Sequence, residues 1–145
     1  MSSVACVAMD RGPIERPDPE RACHGLDQQT RSQSVLAHGT VADIDDRHER
    51  VGKQRRRVAR GADIAVHAEP NSNPAYLERR ARCEIAQNRA WGEASPTHAS
   101  DSPLAVKDVD VRVERRGPYM VFELRSDTPE SARSIQERAR TFGHS

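Results

Sequence analysis

The chain has 145 residues, 23 basic against 22 acidic side chains and a formal net charge of +1, which excludes a strongly basic or strongly acidic domain. Its large apolar residues (5 Leu, 5 Ile, 12 Val and 2 Phe) number 24, about 17% of the chain, below the roughly 20% level under which disorder is typical. The balanced charge lacks the self-repulsion of disordered chains, so the composition predicts a single, small and marginal core.

Proline, glycine and polar residues dominate residues 1–34, where no helical or strand period survives. We therefore predict a disordered N-terminal segment over these residues. The apolar run Val4–Met9 is too short for a signal-peptide core and lacks a preceding basic region. No stretch approaches the ~20 apolar residues that cross a bilayer, so we expect a cytoplasmic protein with no membrane contact.

Residues 35–92 are predicted to form a weakly structured α/β segment. The apolar pattern favours a short strand over 35–46, with a turn at His38–Thr40, and a second short strand over 62–68. Residues 47–60 between them are dense in arginine and have few apolar positions, so the pattern allows an exposed helix at best.

The clearest local signal predicts a helix over residues 74–91. Asn73 precedes Pro74 as an N-cap precedes a first-turn proline, and Gly92 follows as a C-terminal stop. Between these ends, apolar residues repeat at four-residue steps at Leu77, Ala81 and Ile85.

Residues 93–105 are rich in Ser, Pro, Thr and His and are predicted to be a linker. Residues 106–143 are predicted to form a β-hairpin, with a four-residue loop at Arg115–Pro118, followed by a helix over 129–142. The predicted fold is therefore a small, marginal α+β unit with a disordered N-terminal third and with a hairpin and helices in its C-terminal part.

The residues that commonly carry catalysis do not occur in recognisable patterns. The glycine spacing excludes the Gly-rich turns of nucleotide-binding motifs, and no G-x-S-x-G nucleophile motif is present. The six histidines never fall at the four-residue spacing that places two metal ligands on one helix face. We expect neither an enzyme nor a bound cofactor.

The sequence contains two groups of possible metal ligands, and neither predicts a metal site. Oxygen ligands concentrate at Asp43–Glu49, but arginines lie among them and no glycine hinge completes a calcium loop. Cys23 and His24 with Cys83 lack a fourth zinc ligand. The three cysteines cannot all pair within one chain, and we expect reduced thiols.

One basic run is the only candidate binding site. Five cations within eight residues can neutralise several phosphates and gain from counterion release. Against a nucleic-acid site, aromatic residues are absent nearby and the acidic stretch Asp43–Glu49 directly precedes the run. The candidate residues are Lys53, Arg55, Arg56, Arg57 and Arg60.

Codon composition supplies a further hypothesis. Arginine outnumbers lysine 21 to 2, which is typical of GC-rich coding DNA. Reading the DNA strand opposite to residues 43–54 yields an apolar run that is more typical of a strand. The leading interpretation is a chain with no assignable biochemical activity, including the hypothesis of a fortuitous antisense reading frame. The alternative is a small binding module that contacts nucleic acid or an acidic partner through the arginine cluster.

Overall fold

The computed structural model describes residues 18–99 and 101–143 and contains one antiparallel sheet with two long helices. The strands β1 (Val41–Val51), β2 (Arg56–His67), β3 (Asp110–Arg116) and β4 (Tyr119–Arg125) lie in the order β1-β2-β4-β3. The helices are α1 (Pro19–Ala22), α2 (Gln28–Arg31), α3 (Pro74–Trp91) and α4 (Pro129–Gly143), with 3₁₀ turns at Val35–His38, Gly92–Ala94 and Pro103–Ala105. The predicted small α+β class is confirmed.

The core lies between one face of the sheet and the two long helices. The residues of β2, β3 and β4 that face the helices form cross-strand rows, for example Ile64, Phe122 and Val113. Buried alanines such as Ala81 of α3 and Ala139 of α4 pack against these rows. Small residues let the helices approach the sheet closely, so a chain poor in large apolar residues still encloses a core.

Helix α3 confirms the prediction for residues 74–91. The Asn73 side chain accepts a hydrogen bond from the Ala75 N–H at 2.8 Å, and Gly92 ends the helix with φ at 55°. The second predicted helix is also confirmed, as α4 spans Pro129–Gly143. Both helices begin with a proline, whose fixed φ suits the first helical turn.

The predicted C-terminal hairpin is confirmed, with a shorter connection than expected. β3 ends at Arg116 and β4 begins at Tyr119, so only Gly117 and Pro118 join the strands. Within the predicted linker over 93–105, Leu104 is buried in the same core as the sheet.

The structure corrects the prediction for residues 35–60. Residues 35–38 form a 3₁₀ turn, β1 begins only at Val41, and the helix allowed over 47–60 is wrong. These residues belong instead to a long hairpin of β1 and β2, which extends the strand predicted at 62–68 back to Arg56. Pairing between strands determines this hairpin, and a local pattern that lacks apolar alternation cannot reveal it.

The structure also differs from the predictions around Cys23. Residues 18–34, predicted to be disordered, contain α1 and α2, whereas residues 1–17 lie outside the described part. Cys23 forms a disulfide with Cys83 of α3, and their Cα atoms lie 4.7 Å apart. The expectation of reduced thiols is therefore wrong for this pair. Their sequence separation of 60 gave no indication of the bond, which packing of the N-terminal segment on α3 brings about.

Candidate functional site

The β1–β2 hairpin extends past the rest of the sheet. β2 pairs with β4 only over Gly61–His67, whereas its pairing with β1 continues to Arg56. We call residues 48–59, which pair only within this hairpin, the hairpin arm. The arm ends in a turn over residues 52–55.

A glycine and a glutamine fix the base of the hairpin arm. At Gly61 φ is +145°, and a Cβ there would overlap the carbonyl oxygen of Leu124 on β4, so only glycine fits. The buried side-chain amide of Gln136 on α4 donates to the carbonyl oxygens of Gly61 at 2.9 Å and Arg47 at 3.1 Å. Arg60 is an extra residue in the register, a bulge of the kind that bends a hairpin.

The structure brings four of the five predicted site residues together on the arm. Lys53 and Arg55 lie in the turn, and Arg56 and Arg57 begin β2. Arg60 at the base is occupied, because its Nε lies 2.6 Å from Glu49 and its Nη1 donates to the Asp127 carbonyl.

A further cation of the arm, Arg50 of β1, was not among the predicted residues and lies directly opposite Arg57. Arg50 is recognised as part of the site only from its position in the hairpin register, and that position is known only once both strands are assigned correctly.

Three acids of the stretch that argued against the site pair with arginines outside residues 48–59. Asp45 pairs with Arg47 at 3.3 Å, Asp46 with Arg140 of α4 at 2.8 Å, and Glu49 with Arg60. The described part of the chain holds no group of three or more His, Cys, Asp or Glu side chains that is suited to a metal ion.

Five exposed cations on the arm therefore remain without an ion pair to any described residue. They are Arg50, Lys53, Arg55, Arg56 and Arg57.

Arg55 occupies a backbone conformation that favours glycine. Its φ is 57°, and its N–H donates to the Gly52 carbonyl oxygen at 3.1 Å to close the turn. A left-handed conformation costs an ordinary residue about 1 kcal/mol. Arg55 therefore lowers the stability of the turn. Because strained residues cluster at functional sites, this strain favours a binding role for its side chain.

A hollow of about 390 Å³ lies at the arm. Residues Asp46, Arg47, His48, Arg50 and Arg57 line it. The Asp46 side chain reaches α4, and the alternation of β1 places His48 and Arg50 on that same face.

The opposite, helix-free face of the sheet carries a self-compensating charge network. The Asp63 carboxylate is only 5% exposed and lies 2.8 Å from Arg47, 2.8 Å from Arg125 and 3.9 Å from Arg116. Arg116 also contacts two glutamates at 2.6 Å, and these interactions, led by the hydrogen bond to Glu114, raise its pKa. These arginines are already paired, unlike those of the arm.

One buried acid lies away from the arm. Glu84 of α3 is 2% exposed, and burial raises its pKa to about 7. Hydrogen bonds from Val35 and Ser34 and the charge of Arg80 act in the opposite direction. Because the carboxylate already holds the N-terminal segment on α3, we assign it a structural role.

No family model, curated protein or solved structure matches the chain. Among the described residues, no helix is both long enough and apolar enough to cross a membrane.

Proposed function

We propose that this protein is a small, non-enzymatic binding module that contacts nucleic acid through its hairpin arm. The observation that supports the proposal is the set of exposed arm cations without ion pairs, on a hairpin where Asp45, Asp46 and Glu49 pair with arginines outside the arm. The five phosphate-binding residues are Arg50, Lys53, Arg55, Arg56 and Arg57.

The chemistry of the arm favours contact with the phosphate backbone over reading of bases. Residues 48–59 contain no Phe, Tyr or Trp on which an unpaired base can stack. Arginine forks and a lysine ammonium bind phosphate oxygens and release counterions, which makes affinity fall steeply with salt. We therefore expect weak sequence preference and strong salt dependence.

The test compares two quadruple alanine variants with the same change in charge. One replaces Lys53, Arg55, Arg56 and Arg57 on the arm. The matched control replaces exposed cations elsewhere that likewise have no ion pair to a described residue: Lys107, Arg112, Arg115 and Arg133.

Binding to a labelled duplex is measured by fluorescence anisotropy over a salt series. We expect the arm variant to lose affinity and its log–log salt slope to become shallower by roughly 2 to 4, whereas the control keeps both. Equal losses in the two variants would show that only overall charge matters and would overturn the proposal.

Two other outcomes identify alternatives. Arm-dependent binding to an acidic polypeptide but not to the duplex would identify an acidic protein partner. If the protein binds neither, the interpretation of a chain with no assignable activity stands. Ribosome occupancy, measured separately on the transcripts of the two DNA strands, then tests the antisense hypothesis.

The Cys23–Cys83 disulfide is relevant to the cellular compartment in which the protein would bind nucleic acid. Structural disulfides persist in oxidising compartments and are rare in the reducing cytoplasm. The expected cytoplasmic location therefore requires the reduced protein to be functional. Acid-quenched thiol labelling in cells measures which form is present.

A further inference from the structure

Two arginines face each other across the hairpin arm. Arg50 of β1 and Arg57 of β2 are register partners, and both line the hollow described above. Directly opposed residues of an antiparallel pair have Cβ atoms only about 4.5 to 5.5 Å apart, so two like charges destabilise the hairpin there. An anion between them would remove this repulsion.

The rest of the hollow leaves room for an anion. Its acidic member, Asp46, is paired with Arg140, and Arg47 is held by Asp45 and Asp63. His48 lies on the same face of β1 as Arg50. The unpaired charge that lines the hollow is therefore that of the two opposed arginines.

We propose that Arg50 and Arg57 together hold a single phosphate group in this hollow. Two planar guanidinium forks can each give paired hydrogen bonds to the oxygens of one phosphate. The evidence for the site itself is the strand register and the hollow, whereas the identity of its natural ligand rests on the proposed function. That ligand is a backbone phosphodiester of duplex nucleic acid, because a two-stranded ribbon without stacking residues fits a major groove better than a single strand.

The first measurement uses inorganic phosphate as the probe. Thermal melting is followed in phosphate and in chloride at matched ionic strength. We expect phosphate to raise the Tm of the wild-type protein, and to raise it much less in R50A, R57A and the charge-conserving double variant R50K/R57K. In chloride, R50A and R57A should melt no lower than the wild type, since the repulsion is gone. The control R115A removes an exposed arginine outside the arm.

The second measurement is a double-mutant cycle on duplex affinity. If both arginines hold one phosphate, the double variant loses little more affinity than either single variant, and the salt slope changes by about 1. Additive losses with a slope change of about 2 would place the arginines on separate phosphates and overturn the shared site.

The two proposals fail differently. A phosphate effect on Tm that depends on Arg50 and Arg57, without duplex binding, would support the site and reject nucleic acid as its ligand. Duplex binding through the arm with an unchanged phosphate effect in R50A and R57A would support the proposed function and reject the site. Equal stabilisation of R50K/R57K by phosphate would reject the forked geometry.

Discussion

The Glu84 carboxylate accepts a hydrogen bond from the backbone N–H of Val35 at 2.9 Å, across a sequence separation of 49. The Ser34 hydroxyl donates to its other oxygen at 2.9 Å. A buried acid on α3 thus holds the segment that follows α2. Cys83, the residue before Glu84 in α3, forms the disulfide with Cys23, which lies between α1 and α2.

Stability should fall as pH rises through the titration of Glu84. Its pKa is about 7 in the folded protein against an ordinary 4.5, so the folded state binds the proton more tightly and is favoured at low pH. The penalty develops between pH 4.5 and about 7 and reaches roughly 3 kcal/mol above that window.

Urea unfolding of the wild type and Glu84→Gln across this range measures the effect. The variant should lack this part of the pH dependence, whereas Glu137→Gln, at an exposed position of α4, should retain it. A wild-type curve that rises with pH and parallels that of Glu84→Gln would contradict the assignment.

Removing the disulfide should strongly destabilise the fold. The bond closes a loop of 60 residues, which in the chain-entropy account is worth roughly 4 kcal/mol. Cys23→Ser/Cys83→Ser should unfold at correspondingly lower urea. Cys6→Ser serves as the control because Cys6 is not in the bond. Mass spectrometry of a non-reduced digest that finds these cysteines unlinked would refute the prediction.

Gly61→Ala should destabilise the protein by roughly 3 kcal/mol or more. The new Cβ would meet the Leu124 carbonyl, and alanine does not tolerate a φ of +145°. Gly117→Ala is an informative control, because it also has a positive φ (60°) but no atom within 4 Å of the added Cβ. Chemical denaturation should therefore separate the steric clash from backbone strain, and equal losses in the two variants would argue against the clash.

Arg55→Gly should stabilise the free protein and weaken duplex binding. Glycine relieves the left-handed strain in the turn by about 1 kcal/mol and removes one of the cations proposed to bind phosphate. Tm and duplex affinity measured on the same samples should therefore move in opposite directions. Gln54→Gly, in the same turn without a change of charge, should leave the affinity unchanged. A loss of Tm in Arg55→Gly would show that its side chain serves the fold.

Local signals predicted the long helices and the C-terminal hairpin. Asn73, Pro74 and Gly92 specify the ends of α3 within the chain segment itself, and alternating valines specify β3. The β1–β2 hairpin escaped prediction because its support is non-local. Gln136 on α4 holds its base, and Gly61 permits the close approach of β4.

The candidate site was predictable in part. Its cations are visible in the sequence, but their availability depends on which arginines neutralise the nearby acids. Arg140 lies 94 positions from Asp46, and Arg60 reaches Glu49 only through the hairpin register. The sequence order alone therefore suggests more neutralisation of the basic run than the structure contains, and it does not indicate that Arg50 belongs to the site.

The unpaired cations of the hairpin arm concentrate positive charge in one part of a nearly neutral molecule. A net charge of +1 provides little long-range attraction to a polyanion, but the local field at the arm acts within a Debye length of about 8 Å at physiological salt. For the proposed contact, encounters should therefore depend on orientation, because attraction becomes strong only when the hairpin arm faces the anionic surface at close range.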